Sequence, residues 1–213
     1  LYLAYEAVAS GRVHWTDRVR VSKKARHTGG SRMFLDENTS LTLGDLAAGT
    51  SIVSANDGAV AIAEYIAGST EDFVKLMNSK ARELGMNQTV FKNPHGLPAK
   101  GQTTTARDIL KLSRSYLATF PQALAIHSQK TYTYHNITQH NRNRLLKKYP
   151  GADGIKTGFI AKSGYNIAAT AKQGDTRLIA VVLGANTPGI RARETAKLLD
   201  EGFRRVHGPG KGG

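Results

Sequence analysis

The spacing of apolar residues changes near the middle of this chain. Between residues 59 and 66 the apolar side chains recur at helical spacing. Residues 165–171 and 177–183 are instead rich in β-forming side chains, and residues 172–175 between them have the composition of a hairpin turn. Because helical patterns come first and strand patterns follow, the sequence predicts an α+β fold. We expect an antiparallel β-sheet flanked by helices, together with a mainly helical lobe.

Helix start signals and the two ends of the chain predict its domain organisation. Ser69 with Asp72, and Thr105 with Asp108, have the spacing of capping boxes inside a helical lobe at about residues 41–120. The length of 213 residues suits one large domain or two small ones, and residues 208–213, rich in Gly and Pro, are predicted to form a linker or tail. Residues 1–8 have a helical pattern without a start signal, so we expect further sequence upstream of them.

Charge and composition narrow the classes of partner. The formal net charge is +14, which favours a polyanionic neighbour such as nucleic acid, an anionic membrane surface or an acidic wall polymer. The alternative is a solvated basic surface with no dedicated partner. No nucleic-acid-binding motif accompanies the charge, so nucleic acid is not predicted as a partner. The chain has no cysteine, which excludes disulfides, thiol catalysis and cysteine-bound zinc. It also has no apolar run of membrane-spanning length.

Two short motifs could carry chemistry. Ser54-Ala55-Asn56 is followed about a hundred residues later by Lys156-Thr157-Gly158. Either motif alone is weak, because three-residue patterns occur by chance. The local pattern also allows a purely structural interpretation, with Ser54 as a helix N-cap, Asn56 as a turn residue and Lys156 as an exposed strand lysine.

In this order, the two motifs resemble those of penicillin-binding proteins and class A β-lactamases. The chain is similar to the catalytic domain of serine-type D-alanyl-D-alanine carboxypeptidases, the low-molecular-mass penicillin-binding proteins of peptidase family S11. The resemblance implies the penicillin-binding protein or serine β-lactamase-like transpeptidase fold, with residues 1–207 as the D,D-peptidase domain. The matching stretches are residues 31–35, 54–57, 73–78, 81–85, 95–97, 105–108, 141–143, 153–158 and 164–166.

The resemblance assigns three catalytic roles. It makes Ser54 a proton relay between the nucleophile and the leaving amine. It makes the Asn56 amide a holder of the substrate's peptide group. It places Lys156 on a strand, where its charge faces both the substrate's terminal carboxylate and the relay serine.

The resemblance also implies a substrate-binding set. Thr157 would donate its hydroxyl to the terminal carboxylate, and Gly158 would leave room for an extended substrate. The backbone N–H of Phe159 would belong to an oxyanion hole. Arg142 resembles a family arginine near the substrate carboxylate, and His95 a position at the rim of the cleft. No second ligand at metal-ligand spacing accompanies His95, so we expect no metal, and we expect no cofactor.

One family element is missing from the 213 residues. They contain no Ser-x-x-Lys, the motif that supplies the nucleophile and its lysine base, and we expect it in the upstream segment. Two alternatives stay open: a D,D-endopeptidase using the same residues, and a wall-peptide-binding pseudoenzyme. A class A β-lactamase is less favoured, since no counterpart of its deacylating glutamate is found.

The resemblance also implies partners and a location. The expected substrates are peptidoglycan stem peptides, and β-lactam antibiotics are expected as covalent inhibitors. The expected location is the periplasm or cell wall, at the outer face of the cytoplasmic membrane. Family members can carry a membrane anchor in a C-terminal region that follows the catalytic domain.

Overall fold

The computed structural model describes residues 1–208, which form two units of different secondary structure. The first unit comprises Leu1–Thr104 and Gln129–Arg142; the second comprises Thr105–Ser128 and the residues from Asn143 onward. The α+β fold is confirmed, because antiparallel strands and helices both recur along the chain. None of the helices in the described part of the chain is both long and apolar enough to cross a membrane.

The first unit consists of helices with two small antiparallel ribbons. Its helices are α1 (Tyr2–Ala9), α2 (Lys23–Arg26), α3 (Leu43–Ile52), α4 (Asn56–Ala67) and α5 (Thr70–Glu83). Its strands are β1 (Arg18–Arg20), β2 (Ser40–Thr42), β3 (Thr131–Tyr134) and β4 (Ile137–His140), paired β1 with β2 and β3 with β4. α4 is the most buried of these helices, with eight of its twelve residues in the core. Burial on nearly every side makes α4 a rigid support for the residues at its N-terminus.

The second unit is a three-stranded antiparallel sheet with helices packed on it. Its strands, β5 (Ala152–Ile160), β6 (Gly164–Gln173) and β7 (Thr176–Ala185), are ordered β5-β6-β7. Its helices are α6 (Ala106–Thr119), α7 (Leu124–His127), α8 (Leu145–Lys148) and α9 (Pro188–His207), with a 3-10 turn at Pro121–Ala123. Within the described residues β5 pairs only with β6, so the Lys-Thr-Gly strand is an outer strand of this sheet.

The core of the second unit lies where α9 packs on the sheet. Leu199 and Phe203 of α9 form one buried cluster with Ala171 of β6 and Ala180 of β7. Burying a side chain of the size of Leu or Phe stabilises the fold by about 1.5–3 kcal/mol. The two alanines leave room for the larger α9 side chains, and this packing fixes the central strand that carries the partners of β5.

Both predicted helix N-caps are present. The Ser69 hydroxyl accepts a hydrogen bond from the Asp72 N–H at 3.0 Å, and the Thr105 hydroxyl accepts one from the Asp108 N–H at 3.2 Å. The β6–β7 hairpin also forms where the sequence predicts it, since Gln173 pairs with Thr176 across a two-residue turn. The helix that Thr105 begins belongs to the same unit as the sheet. Residues 209–213 of the predicted tail lie outside the described residues.

Candidate active site

Ser54 lies in the sharp bend between α3 and α4. Its backbone is left-handed, with φ at +62°, a conformation that costs a non-glycine residue about 1–2 kcal/mol. The bend is held by hydrogen bonds from the N–H groups of Val53 and Ala55 to the Gly49 carbonyl, at 3.1 and 3.4 Å. Arg142 adds a third, from its Nε to the Val53 carbonyl at 3.2 Å. A guanidinium from a distant stretch of the chain therefore supports the residue next to Ser54.

The interpretation of Ser54 as the N-cap of a helix is wrong. The N-cap of α4 is Ala55, which makes no side-chain capping hydrogen bond. The capping residues Thr42 and Ser69 have extended backbones, as N-caps normally do, whereas Ser54 is left-handed. The sequence Ser-Ala-Asn-Asp is typical of a helix start, which is why it indicated a cap. Local propensity cannot show that the chain bends at Ser54 and that Ala55, the next residue, is the N-cap.

Asn56 is the first residue of α4, not a turn residue, and its side chain is 7% exposed. Its backbone N–H donates to the Ser31 carbonyl and its Nδ2 to the Gly29 carbonyl, both at 2.8 Å. Gly30 lies directly against this amide: a Cβ on Gly30 would be 2.5 Å from the Asn56 Nδ2, and the φ of Gly30 is +82°. The loop of residues 29–31 therefore fixes the orientation of the Asn56 amide.

His95 belongs to the same unit and lies in a loop. Its Nδ1 accepts a hydrogen bond from the Leu97 N–H at 3.2 Å. Burial, and then the positive charge of Lys24, lower the pKa of His95 below its ordinary value of 6.5. The side chain of Leu97 approaches Gly30, which connects this loop to the surroundings of Asn56. Among residues 1–208 no cluster of three His, Asp or Glu side chains could hold a metal ion.

The Lys-Thr-Gly residues occupy the middle of β5, in the second unit. Lys156 donates from its Nζ to the Thr157 carbonyl at 2.6 Å, and Thr157 is buried. The position of Gly158 is open, because a Cβ built there would meet only the Cβ of Asn166, at 4.0 Å. An extended chain can therefore approach the backbone at Gly158. Lys156 supplies a positive charge two residues away on the same strand.

Phe159 is 56% exposed, which is the highest exposure of any aromatic residue among the exposed large apolar residues of residues 1–208. Its ring stacks on Tyr165, its partner on β6, with centroids 4.3 Å apart. Arg191, from the first turn of α9, lies 6.0 Å from the Tyr165 ring and donates from Nη1 to the Asn166 carbonyl at 3.4 Å. Asn166 is the register partner of Gly158, so Arg191 contacts the β6 residue that pairs with the Lys-Thr-Gly strand.

Arg191 is a buried cation. It is 6% exposed, its Nε has no hydrogen-bond partner, and no carboxylate within residues 1–208 forms an ion pair with it. Burial, and then the charge of Arg144, lower its pKa from the ordinary 12.5. Arg193 is instead exposed and pairs with Glu194. A buried guanidinium without an anionic partner is suited to binding an external anion.

Two interactions that the sequence analysis missed hold β5 in place. Arg177 on β7 forms a bidentate ion pair with Asp153, at 2.6 and 2.7 Å, reaching across the central strand. Asn143 donates from Nδ2 to the Gly154 carbonyl at 3.0 Å. Both contacts lie at the irregular start of the β5–β6 pairing, just before Lys156. No sequence pattern signals either pair, because each joins residues on different elements.

Two features define the serine acyl-transfer class that includes penicillin-binding proteins. One is a Ser-x-Asn bend at the start of a buried helix, and the other is a Lys-Thr-Gly sequence on an outer strand of an antiparallel sheet. The chain belongs to the D-alanyl-D-alanine carboxypeptidase family, peptidase S11, whose family model matches residues 1–187. The sequence-based assignment to this family is thereby confirmed.

Individual relatives agree with the family match. The chain is 45% identical over 210 residues to the D-alanyl-D-alanine carboxypeptidase DacC of Escherichia coli K12, covering 95% of this chain and 52% of that protein. Penicillin-binding protein 6B of Escherichia coli has a similar structure, with a TM-score of 0.91 and 40% identity, over 95% of this chain and 66% of the other. Penicillin-binding protein D2 of Listeria monocytogenes, in its ampicillin-bound form, gives a TM-score of 0.85 at 31% identity, over 95% and 82%. The chain spans about half the length of the curated relatives that it matches.

Proposed function

We propose that the protein carrying this chain is a serine D-alanyl-D-alanine carboxypeptidase that removes the terminal D-alanine from peptidoglycan stem peptides. The observation that carries the proposal is the set of carboxylate-binding groups on and beside β5. Lys156 and Thr157 lie on β5, Gly158 leaves the strand open, and the buried Arg191 of α9 lacks an anionic partner in the described chain. A carboxypeptidase must recognise a free terminal carboxylate, and these residues supply a hydroxyl and two cations for it.

The reaction is an acyl transfer in two steps. A serine hydroxyl, activated by a lysine base, attacks the carbonyl carbon of the penultimate D-alanine, and both residues are proposed to come from outside the 213 residues. The C–N bond breaks, and the proton taken from the serine reaches the leaving amine of the terminal D-alanine through Ser54. Water then hydrolyses the acyl-enzyme ester and releases the shortened peptide.

The described residues serve the first step in distinct ways. The Asn56 amide, held by the loop of residues 29–31, positions the peptide group of the substrate. The N–H of Phe159 stabilises the oxyanion that forms during attack. Arg142 supports the Ser54 bend through the Val53 carbonyl and has further guanidinium donors for the substrate side. A β-lactam acylates the same serine, and we propose β-lactams as covalent inhibitors.

A D,D-endopeptidase would use the same catalytic residues. It cleaves within a cross-link, where the residue after the scissile bond need not have a free carboxylate. The buried Arg191, which has no ion-pair partner among residues 1–208, favours the carboxypeptidase. We place the enzyme in the periplasm or cell wall, where its substrate is found and where a net charge of +14 suits an anionic polymer.

Intact-mass analysis of the full-length protein tests the proposal. Incubation with a penicillin is expected to add one equivalent of the drug, and a Lys156→Ala variant is expected to acylate at least ten-fold more slowly. Peptides ending in D-Ala-D-Ala should be cleaved at least ten-fold faster than the same peptides with an amidated C-terminus. A protein that forms no adduct would contradict acyl-enzyme chemistry and support the wall-peptide-binding pseudoenzyme. Equal cleavage of free and amidated peptides would support the endopeptidase.

A further inference from the structure

Asp57, the residue after the Ser-x-Asn motif, is a fully buried carboxylate. It is 0% exposed, and no Lys, Arg or His within residues 1–208 forms an ion pair with it. Its Oδ1 accepts hydrogen bonds from the N–H groups of Met33 at 3.1 Å and Gly58 at 2.9 Å. Its Oδ2 accepts one from the N–H of Leu35 at 3.1 Å. Backbone N–H groups are thus the observed stabilisers of its negative charge, and two of them come from one distant loop.

This carboxylate imposes an unfavourable conformation on that loop. Met33 and Leu35 point inward and are each 1% exposed, whereas Phe34 between them is 46% exposed and left-handed, with φ at +66°. A non-glycine residue adopts this conformation only when the surroundings enforce it, at a cost of about 1–3 kcal/mol. Asp57 enforces it by binding the N–H groups on both sides of Phe34. Strain maintained in this way is characteristic of functional sites.

The same loop holds Asn56. Its residues Gly29 and Ser31 provide the two carbonyl groups that accept hydrogen bonds from Asn56, and Gly30 is in close contact with the Asn56 amide. Asn56 is therefore oriented by a loop whose position depends on the carboxylate of its own neighbour, Asp57. A change at Asp57 would move the loop and with it the partners of Asn56.

Two further contacts anchor the loop. Gln139 of β4 donates from Nε2 to the Arg32 carbonyl at 3.1 Å. The Met33 side chain fills the space left by two glycines: a Cβ on Gly49 would be 2.6 Å from the Met33 sulfur, and one on Gly58 would be 3.2 Å from it. The loop of residues 29–35 is thus fixed by hydrogen bonds at the carboxylate, a hydrogen bond to the β3–β4 ribbon, and packing between α3 and α4.

We propose that Asp57 is a positioning residue for acylation: its carboxylate fixes the loop of residues 29–35 and thereby the orientation of Asn56. The inference rests on the proposed function, because it assigns the purpose of the arrangement to the acyl-transfer reaction. Asp57 does not contact the substrate and acts through Asn56.

Asp57→Asn in the full-length protein, which would carry the proposed nucleophile, is the direct test. The substitution preserves volume but replaces one acceptor oxygen with an NH2 group, which faces a backbone N–H of the loop. We expect the rate constant of acylation by a fluorescent penicillin to fall at least ten-fold, measured per folded molecule and well below the melting temperature. With a D-Ala-D-Ala peptide the loss should appear in kcat, and KM should stay within about three-fold, because the groups on β5 that bind the carboxylate are unchanged.

Asp108→Asn is the matched control. Asp108 is also a buried carboxylate, 3% exposed, in the first turn of a helix, but it lies in the other unit and pairs with Lys111. We expect it to lower the melting temperature without slowing acylation. If Asp57→Asn fails to fold, Gln139→Ala loosens the same loop from β4 and should slow acylation several-fold.

Each outcome separates the two proposals. A wild-type protein that does not react with penicillin overturns the proposed function itself. A reactive wild type whose foldable loop variants acylate at the wild-type rate overturns the positioning role alone. Equal slowing in Asp57→Asn and Asp108→Asn would show that general destabilisation is the cause, and would also overturn it.

Discussion

Gly158→Ala should separate stability from activity, because the structure predicts opposite signs for the two. The new Cβ would meet only the Cβ of Asn166, at 4.0 Å, which is ordinary van der Waals contact. The backbone of Gly158 does not require glycine, since its φ is not positive. Replacing glycine by alanine at such a position stabilises a protein by about 0.4–1 kcal/mol, because the unfolded chain loses conformational freedom. The melting temperature should therefore stay the same or rise.

Catalysis should be impaired by the same methyl group. It occupies the open space over β5 where an extended substrate approaches the backbone, between the residues that bind its carboxylate and the N–H of Phe159. Loss of a single net hydrogen bond to the substrate costs about 0.5–1.5 kcal/mol, and about 1.4 kcal/mol corresponds to a ten-fold loss in rate. We expect kcat/KM for a D-Ala-D-Ala peptide to fall several-fold, up to about ten-fold, measured together with thermal unfolding.

Gly174→Ala provides the matched control. Gly174 lies in the β6–β7 turn, has a φ of +57°, and has no neighbouring atom within 4 Å of the position that an alanine methyl group would occupy. Alanine there is strained by its backbone alone, at a cost of about 1–2 kcal/mol. It should lower the melting temperature and leave kcat/KM unchanged. Wild-type kcat/KM in Gly158→Ala, or a melting temperature as low as that of Gly174→Ala, would refute the reasoning.

Two further substitutions test how the second unit is held together. Arg177→Ala should lower the free energy of unfolding by about 2 kcal/mol, because it removes a charge-assisted bidentate pair with Asp153. Arg177→Lys keeps the charge and should recover part of this loss. Equal losses of the two variants in urea unfolding would contradict a bidentate role. Burial, and further the charge of Lys156, lower the pKa of His127 from 6.5 to about 4. As the pH falls, the unfolded chain therefore takes up this proton at a higher pH than the folded chain does. The contribution of His127 to the free energy of unfolding should be fully present above pH 6.5, and that free energy should fall by up to about 3 kcal/mol as the pH drops towards 4. His127→Gln should flatten that part of the stability curve, and an unchanged curve would rule out His127 as its source.

Features encoded by neighbouring residues could be predicted from the sequence. Ser69 caps α5 as its spacing to Asp72 indicates, because both residues belong to a single helical turn. The hairpin turn at Gly174 is equally local, since its residues need only the backbone freedom that glycine supplies. The roles of Ser54, Asn56 and Lys156 remain predictions, and they depend on the family resemblance rather than on local pattern.

Features that depend on distant residues could not be predicted. β1 was missed because a three-residue strand with one buried side chain, Val19 between two exposed arginines, has too few residues for a detectable alternation. The contacts of Asp57 were missed for another reason. A carboxylate after Asn56 is typical of any helix N-terminus, and nothing in the sequence indicates that it binds a loop more than twenty residues upstream.

The failure of the capping rule at Ser54 is itself informative. Local propensity favours an extended serine that caps α4, yet the chain places Ala55 at the N-cap and gives Ser54 a left-handed backbone. That choice costs about 1–2 kcal/mol and requires support from the Gly49 carbonyl and from Arg142, which is almost ninety residues away. A serine needed only to begin a helix would not require such support. When several distant groups maintain a backbone conformation that local preference disfavours, they preserve the direction of the side chain. At Ser54 that side chain carries the hydroxyl proposed to relay the proton.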